Sequence, residues 1–336
     1  MPPKHIKQRP WPYRGGEDSF SLAARILILL MLLIAAGMVA VRSVAAQGDL
    51  SFSEMAVDSN FPDKLTFRAE ASGEFQIVEA ELLYYSPSHL SSVSRTRVKV
   101  PVDPSSQVEL NYEWDTSGQT VVPNTPLLYQ WTVWDAEGNS LTSEEQLVRY
   151  RDTRFEWQVD ENNSIAVWTH DRPAEFGSDV FDLAARAVEA QRELFGEDLT
   201  QQIQLIIYND FDEFAEWHST VGEFIGGQAF PDVGITTQVV PLGGPQAGWL
   251  QDVVPHEISH LYFAQVTHNP TVSIPVWLNE GMASYNEFGN HQPALNRVER
   301  VAEQGQLIPL SSLATGFGSH NEARARLAYD EALSAV

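Results

Sequence analysis

Three patterns of apolar and polar positions divide the chain. Ile26 to Val41 read ILILLMLLIAAGMVAV, sixteen positions without a charge, bracketed by Arg25 and Arg42. A helix of that length spans about 24 Å, a little short of a ~30 Å hydrocarbon core, and snorkelling arginines would make up the difference. From about Leu50 to Tyr150 the period is two. Leu65, Phe67 and Ala69 face one way, Thr66, Arg68 and Glu70 the other. The stretches LTFRAEA (65–71), FQIVEAELLYY (75–85), TRVKVPV (96–102), VELNYEW (108–114), LLYQWTVW (127–134) and LTSEEQLVRY (141–150) are bounded by Pro, Gly, Asn, Asp and Ser. Strands at this spacing without helices between them predict an all-β immunoglobulin-like sandwich over residues 47–153. No polar cluster in it suggests chemistry, so it reads as a spacer or docking domain.

The pattern changes near Arg154. Residues 155–170 predict a β-hairpin turning at Glu161 to Asn163. Ser178 is the expected N-cap of an amphipathic helix through Phe195, with Gly196 as its stop. IQLIIY (203–208) predicts a buried strand, 211–218 a short helix, and 224–240 two strands about a turn. Helical patterns dominate beyond. Residues 154–336 are therefore expected to be an α+β domain.

Residues 1–25 read as a basic cytoplasmic segment and 26–46 as a signal peptide or a transmembrane anchor. Val44 and Ala46 are small residues before a cut at Gln47, which favours cleavage. The long basic segment and Arg42 favour an anchor. Both readings place residues 47 onward outside the cytoplasm, either membrane-anchored or secreted after cleavage near Ala46.

The chain has 336 residues and a formal net charge of -24. From residue 47 onward, 15 Lys and Arg face 43 Asp and Glu. A body this acidic repels phosphate backbones, so no nucleic-acid partner is expected. With Cys 0, disulfide scaffolds, thiol catalysis and Cys-ligated metals are excluded. Any metal must be held by His, Asp or Glu.

One segment offers such ligands. His256-Glu257-Ile258-Ser259-His260 is an HExxH pattern. On a helix, positions i and i+4 share a face, so both imidazoles would reach one cation. Val253, Val254, Leu261, Tyr262 and Phe263 surround them with apolar positions, and buried His and Glu need partners. Glu280, in WLNEGMASY (277–285), is a third ligand on the next helical pattern. Two His and one Glu leave a fourth position open, which is a catalytic zinc set. Glu257 would serve as general base. Ser284, one turn past Glu280, is expected to orient a ligand imidazole from behind, with Asn279 a second candidate for that role.

HEISH followed by WLNEGMASY resembles the gluzincin metallopeptidases, and within them the peptidase MA-like family of exported bacterial proteins. GGQAFPDVG (226–234) and LIPLSSL (307–313) are similar to segments of that family. The resemblance implies one zinc on His256, His260 and Glu280, with Glu257 as base. It also implies that Gly226, Gly227, Gln228 and Ala229 form an edge strand that pairs with an extended peptide or protein substrate. The implied activity is an exported zinc endopeptidase, held at the membrane through the N-terminal helix if that helix is uncleaved. The alternatives are an aminopeptidase, or a catalytically impaired binding or adhesion protein. Against an aminopeptidase, GGQAF carries no acidic side chain.

Two departures stand out. Pro255 precedes His256, so the active-site helix is expected to start there or kink. ARARLAYDEALSAV reaches Val336 without a stop signal, and the chain is expected to be truncated. Tyr329 is then the candidate transition-state donor, against the alternative of a packed amphipathic-helix tyrosine. Tyr285 is expected in the core. His170, His218, His268, His291 and His320 lack ligand-like spacing.

Overall fold

Alternating side chains build the first half. In this computed structural model, which describes residues 49–336 apart from 89, 120, 219–225, 244–245, 270–272 and 320, seven strands run from Ser51 to Tyr150. They are β1 (Ser51–Asn60), β2 (Lys64–Tyr85), β3 (Thr96–Val100), β4 (Ser105–Asp115), β5 (Thr125–Asp135), β6 (Ser140–Thr142) and β7 (Gln146–Tyr150). All pair antiparallel. The two stretches read as separate strands at 65–71 and 75–85 are one, the 22-residue β2. Its register is irregular between Ser72 and Ile77, where the strand changes partners. The first half of β2 pairs with β1 and β4, the second with β3 and β5. A Cβ on Gly73 would lie 2.7 Å from the Leu50 side chain, so the change of partners needs a glycine's close approach. Phe67 of the first half stacks on Tyr84 of the second at 5.3 Å and meets Tyr129 edge-on at 5.4 Å. The sandwich is thus one seven-stranded sheet doubled over on β2, not the two separate sheets of an immunoglobulin-like domain.

The second half begins with β8 (Gln158–Glu161), β9 (Ile165–Thr169), α1 (Ala174–Phe195), β10 (Ile203–Tyr208), α2 (Phe211–Ala215), β11 (Gly227–Phe230) and β12 (Ile235–Val239). Their sheet runs β11-β12-β10-β9-β8, with the inner three strands parallel and the outer two antiparallel. Helix α1 starts at Ala174, not at Ser178, whose hydroxyl bonds the Ala174 carbonyl inside the helix at 3.2 Å. Pro173 sets that start, and Gly196 ends the helix at φ 74°. Then follow α3 (Gln246–Val266), α4 (Val276–Tyr285), α5 (Gln292–Glu303), α6 (Ala314–Phe317) and α7 (Glu322–Ala335).

Every residue of β10 is buried, and its alternation divides two cores. Ile203, Leu205 and Ile207 pack with Val180 and Leu183 of α1 and Val254 and Ile258 of α3. Ile206 and Tyr208 pack in the same core as Phe67 and Trp131 of the sandwich. The sandwich is therefore the cover of one sheet face rather than a spacer, and residues 48–336 make one compact unit. At the junction, Arg154 pairs with Asp152 at 2.6 Å and with Glu216, while the Tyr208 hydroxyl donates to Asp152 at 3.0 Å.

The signal or anchor expected at 26–46, and the basic segment before it, lie outside the described residues. Among the described residues, no helix is long and apolar enough to cross a membrane.

Candidate metal centre

Helix α3 is buried nearly all round: Val253, Val254, Ile258, Leu261 and Tyr262 are covered, and so are Glu257 and Ser259. It begins at Gln246, so Pro255 stands inside it rather than at its start. The packing of both faces holds the helix through a residue that would otherwise end it.

His256 and His260 share one face of α3, and α4 brings Glu280 across to them. One donor atom from each lies within 4.8 Å of the others. His256 Nε2 is 3.4 Å and His260 Nε2 3.7 Å from Glu280 Oε2. Ligands about 2.05 Å from a tetrahedral zinc are about 3.3 Å apart, so the donor set fits that ion. The other ring nitrogens are engaged. His256 Nδ1 meets Glu287 Oε1 at 2.8 Å, and His260 Nδ1 meets Asn279 Oδ1 at 3.1 Å. Both Nε2 atoms are thereby turned toward Glu280.

Ser284 is buried but bonds neither imidazole. The Nδ1 contacts expected of it are made by Asn279, the second candidate, and by Glu287. Glu287 was not legible as a partner, though one signal pointed to it. It is an acidic residue seven positions past Glu280, just beyond the end of α4, and so near the ligand helix in sequence. Tyr285 is exposed at 51%, not in the core.

Glu257 sits beneath β11. A Cβ on Gly227 would lie 2.7 Å from Glu257 Oε1 and 2.9 Å from Val253, so only glycine lets the strand pass this close. Gly226 meets the Trp249 ring in the same way. Gln228 and Ala229 pair with Thr237 and Thr236 of β12, and among the described residues β11 ends the sheet.

Tyr329 reaches the centre from α7. A Cβ on Gly281 would lie 2.5 Å from the Ala332 carbonyl, so α4 and α7 touch backbone to backbone. The Tyr329 ring centre is 6.2 Å from that of His256.

The charges are strongly coupled. Burial opposes a charge on His256, but Glu280, Glu287 and Glu257 outweigh it and raise its pKa to about 10. Burial and the neighbouring His256 lower His260 to about 4. Burial, with Glu280 and Glu287 close by, raises Glu257 to about 7 against the pull of His256. Burial also opposes the charge on Glu280, which the two imidazoles nevertheless hold below the ordinary carboxylate value. Burial and the three carboxylates push the Tyr329 phenol well up.

With this geometry in view, residues 183–336 match the family model of the Peptidase MA superfamily. The part of the chain that holds His256, His260 and Glu280 is thus peptidase-like. No curated protein matches the chain. Among solved structures, OgpA from Akkermansia muciniphila is similar over 31% of this chain and 28% of its own, at 7% identity and a TM-score of 0.24. An aminopeptidase N family protein from Idiomarina loihiensis is similar over 85% of this chain and 65% of its own, at 13% identity and a TM-score of 0.37. The chain spans less than two thirds of either protein, and likenesses at these scores carry no argument about its activity.

Proposed function

We propose that this chain is an exported zinc-dependent endopeptidase. The observation that supports it most is the set of three donors within 4.8 Å of one another, with both imidazoles 3.4–3.7 Å from Glu280 and Glu257 buried beside them. A zinc ion held there would supply Lewis-acid polarisation of a peptide carbonyl and acidify water. Glu257 takes the proton of the attacking water and passes it to the leaving amine. Its raised pKa suits a base working near neutral pH. The Tyr329 hydroxyl, protonated throughout that range, donates to the carbonyl oxygen as charge develops on it. An extended peptide would add to the outer edge of β11, with Gly226 and Gly227 letting it lie close to Glu257. The absence of an acidic side chain from GGQAF, which would hold a substrate's terminal amine, favours internal cleavage. Export rests on the apolar run at 26–41 and its basic flank.

The test is a peptide-library digest by the zinc-loaded protein. Internal bonds should be cut, and Glu257→Gln should keep its zinc while losing the cutting. Near-normal turnover in that variant would remove Glu257 as the base, and cleavage only from amino termini would replace the endopeptidase reading. A reporter fused after Ser311 should be active only outside the cytoplasm, and cytoplasmic activity would overturn export.

A further inference from the structure

A proline inside a helix lacks the N–H that would bond the carbonyl four residues back, and its ring pushes that carbonyl outward. For Pro255 the carbonyl is that of Gln251. It is not left to solvent, because it accepts the N–H of Phe288 at 3.0 Å. Phe288 directly follows Glu287, whose carboxylate holds Nδ1 of His256. We infer that Pro255 is a positioning residue for the metal centre: the N–H it lacks frees the Gln251 carbonyl to anchor Phe288, and that anchor sets Glu287 against His256.

The neighbouring contacts run the same way. Helix α4 ends at Tyr285, and the residues after it lie along α3. Asn286 Nδ2 donates to Ser259 Oγ at 2.9 Å. The Gly289 N–H donates to the Asp252 carboxylate, and a Cβ at 289 would collide with that group. The Phe288 ring packs in the core with Val253 and Val254, under the Arg186 guanidinium at 5.6 Å. Glu287 itself is weakly held by its own backbone, with its N–H 3.3 Å from the Ser284 carbonyl. Its side chain is fixed because the residues on both sides of it are fixed. An N–H at 255 would compete with Phe288 for the Gln251 carbonyl, since an α-helix closes that bond by itself.

The inference rests on the metal-centre reading, and its test separates the two. Zinc affinity is measured by chelator competition, and exchange of the Phe288 amide is followed in metal-free protein. Pro255→Ala should fold, bind zinc about tenfold more weakly, and exchange the Phe288 amide faster. Because Pro255 acts through Glu287, the double variant with Glu287→Gln should bind zinc no more weakly than Glu287→Gln alone. Unchanged zinc affinity in Pro255→Ala, or a loss that adds to that of Glu287→Gln, overturns the inference. If Pro255→Ala does not fold, Asp252→Ala removes the adjacent anchor and leaves the helix intact. The same non-additive loss is then expected, and its absence overturns the inference equally. Wild-type protein that takes up no zinc would sink the metal-centre reading. The positioning role would fall with that centre, whereas unchanged Phe288 exchange in a zinc-binding protein overturns this inference alone.

Discussion

Asp135 in the sandwich and Glu257 at the metal centre are both buried carboxylates, 3% and 5% exposed. Asp135 accepts from the backbone N–H groups of Glu137 at 3.0 Å and Asn139 at 2.8 Å, and from Asn139 Nδ2 at 2.8 Å. Burial would raise its pKa, but these donors overcome it and hold the group below the ordinary value. On Glu257, burial and the charges of Glu280 and Glu287 outweigh the pull of His256, and it rises to about 7. Donors and depth together separate the two: Asp135 closes a turn whose next three residues are exposed, while Glu257 lies under β11. One carboxylate closes a turn and is chemically quiet. The other is left with a proton to exchange.

Substitutions put that contrast to the test. The largest expected effect is that of Glu257→Gln, a loss of about 100- to 10,000-fold in peptide hydrolysis with zinc content unchanged. Turnover and metal analysis on the same sample check it. In the sandwich, Trp131→Ala empties a site with no exposed surface. It should cost about 3–5 kcal/mol of unfolding free energy by urea titration, through packing alone. Glu287→Gln should weaken zinc by about 10- to 100-fold in a chelator competition.

A smaller effect concerns pH. His256 keeps its proton up to about 10 in the metal-free protein, and zinc needs the neutral imidazole. Zinc affinity should therefore rise by about tenfold per pH unit between pH 7 and 9, and fall as the medium is acidified. A flat profile would show that His256 is already neutral. The smallest effect is expected from Ser284→Ala, which should leave zinc affinity unchanged because neither imidazole uses that hydroxyl.

How far the sequence foretold these features depended on the range of the forces behind them. Strands of the sandwich were legible because alternation is local, as along β5. The pairing of His256 with His260 was legible because one helical turn fixes it. Gly73 looked like a break and is a passage, since tertiary pairing carries β2 through it. Pro255 looked like a helix start or a kink, and the start is ruled out, because the partner that takes the freed Gln251 carbonyl is Phe288, 33 residues past the proline in sequence. Ser284 looked like the acceptor because helical spacing favours i+4. Glu287 lies past the end of α4, where the turn and its anchors rather than helical periodicity decide the direction.

The core shared through β10 bears on how the chain can be divided. A cut between residues 153 and 154, where the hydrophobic pattern changes, would strip the outer face of the second sheet. Tyr208, Phe214 and Trp217, each at most 3% exposed, belong to the core that would lose its sandwich side. Such a fragment would be a sticky surface rather than a small enzyme. Any graft of the half that carries His256, His260 and Glu280 onto another front piece would have to offer that core an equally close-fitting apolar wall.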